Sequence, residues 1–403
     1  MRPEVGAGAR AFPPHLLSAA LAALLLAGCS ADQGGPFVSD PYVQDVRATS
    51  AVVALADTSE RALVLEWSEA RGGVTRTVVE AKATKLHALR AEGLTPDTEY
   101  VYRLRTEKGR LAGESTFRTA PLAGTREVTF VAFGDSGATS VKRAFFERLF
   151  GADEHGPGKE EALGKAILAS DPQPDFILHT GDVVYPDGSR KYYREGFFRP
   201  FRKLIDHVPV FPSMGNHDAE SPGGWLSAFT TPANNDEASE RYYSFDWGDL
   251  HCVALDVETT EFGPGTPQRE FLEQDLAASD AKWKIVFFHE PPFSFGRHGS
   301  NLHVQTDLVP VFERYGVDLV LSGHDHLYER FAPKNGVTYV VTGGGGASLY
   351  DIKAGAAVAF GRAVHHFVRG RADAARLTLE AIDLDGRVFD SVTLEKPPAA
   401  TGR

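Results

Sequence analysis

An aspartate and a tyrosine stand three residues apart in Gly181-Asp182-Val183-Val184-Tyr185, just after the apolar run Phe176-Ile177-Leu178-His179. The run reads as a buried strand entering a loop. If the loop opens with one helical turn, the carboxylate and the phenol face the same way. Asp182 has two oxygens and can bridge two cations. Tyr185 can deliver a phenolate, which suits a trivalent ion far better than Mg or Ca. Taken alone, the stretch reads equally well as a polar loop with a tyrosine packed on its surface.

Other segments share this build. After Val131-Ala132-Phe133 comes Gly134-Asp135-Ser136-Gly137, and after Pro209-Val210-Phe211 comes Gly215-Asn216-His217-Asp218. His289 follows Ile285 to Phe288, and Gly323-His324-Asp325-His326 follows Leu319-Val320-Leu321. Ligands of α/β sheets gather at the carboxyl ends of strands, and glycines beside them let the backbone approach an ion. In an extended segment His324 and His326 point the same way, so each can serve one of two adjacent metals. Singly the blocks are ambiguous: a glycine–aspartate pair is commonly a turn, and Asn216 can cap one. Together they place seven metal-competent side chains at strand ends. His155, His207, His251, His303, His365 and His366 lie outside this pattern and read as structural.

The elements that must position these residues occupy the second part of the chain. From Glu127 onward strands and helices mix. Strands are expected at Val128 to Phe133, Phe176 to His179, Val208 to Phe211, Tyr242 to Phe245, His251 to Leu255, Ile285 to Phe288, Val317 to Leu321, Val337 to Val341, Arg376 to Ile382 and Val388 to Leu394. Helices are expected over Val141 to Phe150, Lys159 to Ala169, Tyr192 to Ile205, Phe271 to Ala278 and Val304 to Tyr315. Residues 37–121 read differently, as short alternating segments separated by turn clusters, the pattern of a β-sandwich. Residues 122–126 read as a linker, residues 127–395 as the α/β domain, and residues 396–403 as a disordered tail.

The chain has 403 residues, enough for two domains. Its formal charge of −12 argues against nucleic acid as a partner. A bound metal can still invert the local field and attract an anion. Residues 1–28 read as a signal sequence with basic Arg2 and Arg10 and an apolar run, Leu16 to Leu26, too short to span a bilayer permanently. Its end, Leu26-Ala27-Gly28-Cys29, resembles the bacterial lipoprotein box, which implies a lipid anchor at Cys29 in the cell envelope, followed by a tether over 29–36. Cys252 reads as a buried thiol, so no structural disulfide is expected.

The five blocks, in this order, resemble the metallophosphoesterase signature, and more narrowly that of the purple acid phosphatases. GDSG (134–137), GDVVY (181–185), GNHD (215–218), VFFH (286–289) and GHDH (323–326) match that family's motifs, and Leu327-Tyr328-Glu329-Arg330 extends the last one. Leu94-Thr95-Pro96-Asp97-Thr98-Glu99-Tyr100 resembles the fibronectin type III signature, with Tyr100 as its corner tyrosine. The fold implied is an N-terminal all-β sandwich followed by an α/β metallophosphoesterase domain, a ββ sandwich core flanked by helices.

Carried over residue by residue, the resemblance implies two metals. Asp135, Asp182, Tyr185 and His326 would hold Fe(III); Asp182, Asn216, His289 and His324 would hold a divalent Fe, Zn or Mn. His217 would lie beside bound phosphate. His298 would bind substrate or protonate the leaving group, and Arg297 is a candidate phosphate contact. Asp218 stands where Glu is frequent, and Pro291 to Gly296 departs from the plant pattern. The activity implied is hydrolysis of a phosphate monoester, a small-molecule substrate, by a metal-bridged hydroxide. The alternatives are a phosphodiesterase on nucleotides or lipid head groups, and a non-catalytic surface-binding lipoprotein.

Overall fold

The computed structural model describes residues 38–137, 158–353 and 357–396. The expected signal sequence, tether, Cys29, the helix over Val141 to Phe150, His155 and all but the first residue of the tail lie outside the described residues. Among the described residues, no helix is long and apolar enough to cross a membrane.

The N-terminal region is all-β. It comprises β1 (Tyr42–Gln44), β2 (Ser50–Arg61), β3 (Leu63–Glu69), β4 (Arg76–Val79), β5 (Thr84–Glu92), β6 (Glu99–Thr106) and β7 (Leu111–Arg118). These pair as two antiparallel sheets, β1-β2-β5 and β4-β3-β6-β7. The Tyr100 hydroxyl accepts a bond from the Thr95 amide five residues upstream, at 2.9 Å, the contact made by a corner tyrosine. Strand β5 falls outside the alternating segments expected from the sequence, which are Val43 to Val46, Ala51 to Ala56, Leu63 to Trp67, Thr75 to Ala81, Thr98 to Thr106 and Ser115 to Arg118. Its buried face carries only His87, Leu89 and Ala91, and Leu86 points outward, so its apolar signal is weak.

The rest of the chain adds β8 (Val128–Phe133), β9 (Phe176–His179), β10 (Val210–Pro212), β11 (Tyr243–Trp247), β12 (Leu250–Ala254), β13 (Trp283–Phe287) and β14 (Leu319–Ser322). It ends with β15 (Tyr328–Arg330), β16 (Thr338–Thr342), β17 (Phe360–Arg362), β18 (His366–Ala372), β19 (Arg376–Asp383) and β20 (Val388–Glu395). They form a six-stranded sheet, β10-β9-β8-β18-β19-β20, and a seven-stranded sheet, β11-β12-β13-β14-β16-β15-β17. Strands β8, β9 and β10 run parallel to one another, as do β12, β13, β14 and β16.

Alternation explains the layers. Phe130, Phe176, Leu178 and Phe211 of the first sheet meet Phe245, Ile285, Phe287, Leu319 and Leu321 of the second in one core. The intervening residues face outward. Val131, Phe133 and Ile177 pack beneath the helices Lys159–Leu168 and Arg199–Ile205. Val253, Val286 and Val320 pack beneath Pro267–Ala278 and Val309–Arg314. Burial on both faces is why these strands read as continuous apolar runs.

Two expected helices are interrupted. The helix over Tyr192 to Ile205 contains a π-helical turn at Arg194–Phe198, and the one over Val304 to Tyr315 splits into Leu302–Asp307 and Val309–Arg314. Pro310 sits in the first turn of the second piece, where a missing N–H costs nothing. The residues read as a linker are pinned: Arg126 bonds both Asp97 (2.8 Å) and Asp175 (2.6 and 3.0 Å). Further bonds join the all-β region to the α/β region. The Tyr42 hydroxyl donates to the Ala228 carbonyl (2.7 Å), and the Tyr102 hydroxyl donates to the Asp206 carbonyl (2.9 Å).

Candidate metal centre

The ends of β8, β9 and β10, neighbours in one sheet, carry Asp135, then Asp182 and Tyr185, then Asn216 and His217. The ends of β13 and β14, neighbours in the other, carry His289, then His324 and His326. The loops that turn these residues inward are tight. Asp135 (φ 58°), Asp182 (φ 52°) and His324 (φ 68°) all lie in the left-handed region, which costs a non-glycine residue about 1–3 kcal/mol. Cross-loop bonds hold them there. The Asp135 amide donates to the Gly181 carbonyl (3.0 Å), the His324 amide to Asp135 Oδ2 (3.0 Å), and the His217 amide to Asp182 Oδ1 (2.9 Å). A Cβ on Gly215 would collide with the Asp182 amide, and one on Gly343 with the Asp325 carbonyl. The Gly343 to Gly346 run is therefore close packing under the site.

Two sequence expectations on local geometry need correction. No helical turn follows Gly181; left-handed φ values at Gly181 and Asp182 bend the chain so that the Tyr185 phenol reaches the carboxylates. Nor is Gly323 to His326 extended. A sharp turn at His324, stabilised by the Asp325 amide on the Gly323 carbonyl (2.8 Å), sends the two histidines to separate groups of donors.

In one group, His326 Nε2 lies 3.2 Å from the Tyr185 hydroxyl and 3.3 Å from Asp135 Oδ1, and these oxygens are 3.2 Å apart. In the other, Asn216 Oδ1 lies 3.0 Å from both His289 Nε2 and His324 Nδ1, which are 3.3 Å apart. Asp182 Oδ1 is 3.5 Å from His289 Nε2. Asp135, Asp182 and His289 each offer an atom within 4.8 Å of the others, all three buried.

The chemistry of this set calls for cations. His289 Nδ1–H donates to the Thr180 carbonyl (2.8 Å), and His326 Nδ1–H donates to the Ser348 carbonyl (2.6 Å). In its neutral form each therefore aims the lone pair of Nε2 inward, the form a metal ligand takes. There it meets carboxylate and amide oxygens, which are acceptors, and the Tyr185 phenol, whose one hydrogen goes to Asp135 Oδ1 (3.2 Å). Buried acceptors facing acceptors are costly unless a positive charge lies between them. Two ligands at right angles around an ion with bonds of about 2.1 Å stand about 3 Å apart, close to the spacing found.

Protonation preferences report the same demand. Burial opposes charge on His289, but the Asp182, Asp135 and Glu258 carboxylates push it up to about 10. Burial and the charge of His289 push His324 down to about 3. Burial, then Asp182 and Asp135, hold the Tyr185 phenol well above its usual range, so a phenolate here needs a cation beside it.

Around this core, Asp218 is fully buried and accepts from the Gly215 amide (3.0 Å) and the Val183 amide (3.1 Å), tying two of the loops together. Burial and Asp182 raise its carboxyl to about 7. His217 is a third exposed, with Nδ1 2.6 Å from the Pro186 carbonyl and its ring 4.6 Å from that of Tyr185. His298 is exposed, its ring 4.3 Å from that of His324. Sequence reasoning missed Tyr350, whose ring stacks on His326 at 4.2 Å. No motif spacing marks it, because the contact is made only by folding. It also missed Glu258, which lies past β12 beside the β13 end.

Residues 128–328 match the calcineurin-like phosphoesterase family. An uncharacterized protein of Mycobacterium tuberculosis is 28% identical over 292 residues, covering 65% of this chain and 54% of its own. The probable inactive purple acid phosphatase 1 of Arabidopsis thaliana is 27% identical over 387 residues, covering 81% of this chain and 60% of its own. The chain thus spans between half and two thirds of the length of these curated relatives. In fold it is similar to the purple acid phosphatase from yellow lupin (Lupinus luteus) seeds, with a TM-score of 0.74 at 23% identity, covering 88% of this chain and 74% of the lupin one. With its strand-end donors converging as they do, the chain carries a calcineurin-like metallophosphoesterase domain over residues 128–328 and is similar in sequence and fold to purple acid phosphatases.

Proposed function

We propose that this chain hydrolyses phosphate monoesters at a dinuclear centre. Asp135, Asp182, Tyr185 and His326 would hold Fe(III), and Asp182, Asn216, His289 and His324 a divalent Fe, Zn or Mn. The observation that carries the reading is the convergence of seven metal-competent side chains as two groups, their nitrogen and oxygen atoms 3.0–3.5 Å apart. The Arabidopsis relative is named inactive; here the complete donor set favours catalysis over a surface-binding role. When bound, the two ions supply Lewis-acid charge at the phosphoryl group and a water acidified to around neutrality.

The chain's own residues do the rest. Asp182 is positioned by the His217 amide to lie between the two groups. The Thr180 and Ser348 carbonyls fix the tautomers of His289 and His326. His217 gives Nδ1–H to the Pro186 carbonyl, so in its imidazolium form it would offer Nε2–H to a phosphoryl oxygen. His298, on the solvent side of His324, is placed to hand a proton to the leaving oxygen. Export and lipid anchoring at Cys29 belong to the same proposal and rest on the sequence of residues 1–29.

Metal analysis with a visible spectrum, beside rates on an aryl phosphate monoester and the matching diester, tests this reading. The expected result is iron plus one divalent ion, a phenolate-to-iron band that disappears in Tyr185→Phe, and faster monoester turnover. Faster diester turnover would transfer the proposal to a phosphodiesterase. Metal-replete protein inert on both esters would end it.

A further inference from the structure

Asp325, the carboxylate between His324 and His326, is fully buried and belongs to neither donor group. Its bonds go to the loop over 294–299. Oδ2 accepts from the Ser294 hydroxyl (2.5 Å) and the Gly299 amide (3.1 Å), and Oδ1 accepts from the His298 amide (2.9 Å). Ser294 Oγ in turn accepts from the Gly296 amide (3.0 Å). A Cβ on Gly296 would collide with the Asp325 carboxyl, so the loop closes onto that carboxylate only because a glycine is there. The loop is fixed a second time at Phe295. Its amide donates to both Glu329 oxygens (3.2 and 3.0 Å), and its carbonyl accepts from the Lys353 amide (2.9 Å).

This clamp presents two side chains. Arg297 and His298 are exposed at the loop tip. The His298 ring stands over His324, and the Arg297 guanidinium lies 5.3 Å from the ring of Tyr350, which itself stacks on His326. A guanidinium and an imidazole thus stand on the solvent side of one histidine from each donor group.

We infer that Asp325 is a positioning residue for substrate: its carboxylate sets the 294–299 loop so that Arg297 and His298 grip the oxygens of an incoming phosphate ester, with Tyr350 steering the guanidinium. The inference rests on the phosphate-ester reading of the site. It adds a residue that binds neither metal nor substrate and works through backbone amides. Charge-assisted bonds from a guanidinium are directional, and a shift of about 1 Å in a positioning group can cost about a hundredfold. Asn at position 325 keeps the size but turns one acceptor into a donor facing amide N–H groups.

The test uses full-length, metal-loaded protein as wild type, Asp325→Asn, Gly296→Ala, Arg297→Ala/His298→Ala, and each of the first two combined with that pair. We expect Asp325→Asn and Gly296→Ala each to lower kcat/KM on an aryl phosphate about ten- to a hundredfold, raising KM through Arg297 and lowering kcat through His298. Metal content should stay at the wild-type level. Added to the Arg297/His298 pair, neither should cause further loss, because both act through it. Inorganic phosphate affinity should follow the same pattern by calorimetry. That readout survives even if the protein binds phosphate but turns over no ester, which would sink the hydrolase reading alone. The inference is overturned if the losses simply add, if phosphate affinity and KM stay unchanged, or if Asp325→Asn sheds metal while Gly296→Ala matches wild type.

Discussion

His251, near the start of β12, and His289, just past the end of β13, lie at opposite ends of one run of parallel strands, each buried beside carboxylates. Their surroundings differ in what they lack. His251 places Nδ1 2.8 Å from Asp246 and Nε2 2.8 Å from Asp275. An imidazolium has two donors, and here two acceptors wait for them, so one proton completes the arrangement. Burial works against that charge, but the two carboxylates outweigh it and raise His251 to about 9. His289 gives Nδ1–H to a carbonyl and turns Nε2 toward Asn216, Asp182 and His324, where a proton could serve only one of them. Burial and negative charge are thus common to both ends. What separates a structural histidine from a candidate ligand is whether its second nitrogen meets an acceptor in line for one hydrogen or a group of lone pairs around one point.

The largest effect should come from breaking the second arrangement. Asp182→Asn keeps the shape but removes the charge that lies between the two donor groups. We expect the loss of at least one metal per chain and a fall in kcat on the order of a thousandfold, with secondary structure unchanged by circular dichroism. The converse substitution at the other end, His251→Gln, should leave metal content and kcat at wild-type values. If His251→Gln sheds metal, the two ends are not independent.

His251→Gln should instead register in stability, and with a definite pH dependence. The folded pKa of about 9 exceeds the ordinary value of 6.5. The stabilisation is therefore fully present below about pH 6.5, declines as pH rises, and is gone above about 9. The gap corresponds to about 3 kcal/mol at the acidic limit. Urea unfolding of wild type and variant at pH 6, 7.5 and 9.5 should show the difference shrinking in that order. A constant difference would mean that the ring contributes by packing alone.

How far the sequence discloses these ends also differs. The candidate ligands were legible because each block closely follows an apolar run and every block except that of His289 contains glycine. The route of the chain between them was not. Left-handed turns at Asp182 and His324 were read as a helical turn and an extended segment, because the bonds that hold them come from Gly181, His217 and Asp135, the last of these 189 residues from His324. Tyr350 and the Asp325 clamp were invisible for the same reason: each depends on a partner from a different loop. Strand β18 was missed because Arg369, Gly370 and Arg371 interrupt its apolar pattern, and Gly370 leaves the space that the Phe130 ring fills. The His251 triad could not be read either, since Asp275 arrives on the helix Pro267–Ala278 from 24 residues downstream.

The smallest effect sharpens the comparison within the triad. Asp246 and Asp275 make bonds of equal length to His251, but the Asp246 side chain is 76% exposed and the Asp275 side chain only 20%. Solvent screens an exposed partner, and such pairs contribute about 0–1 kcal/mol. Asp275 also accepts from the Ser244 hydroxyl (2.9 Å), so its removal strands two donors. Asp246→Asn should therefore cost under about 1 kcal/mol in urea unfolding at pH 6. Asp275→Asn should cost about 3 kcal/mol, close to His251→Gln itself. Both differences should narrow at pH 9.5, where the imidazole has lost its proton. Equal costs for the two aspartates would show that bond length, and not burial, sets the strength of this triad, and would weaken the same reasoning where it is applied to the donors around His289.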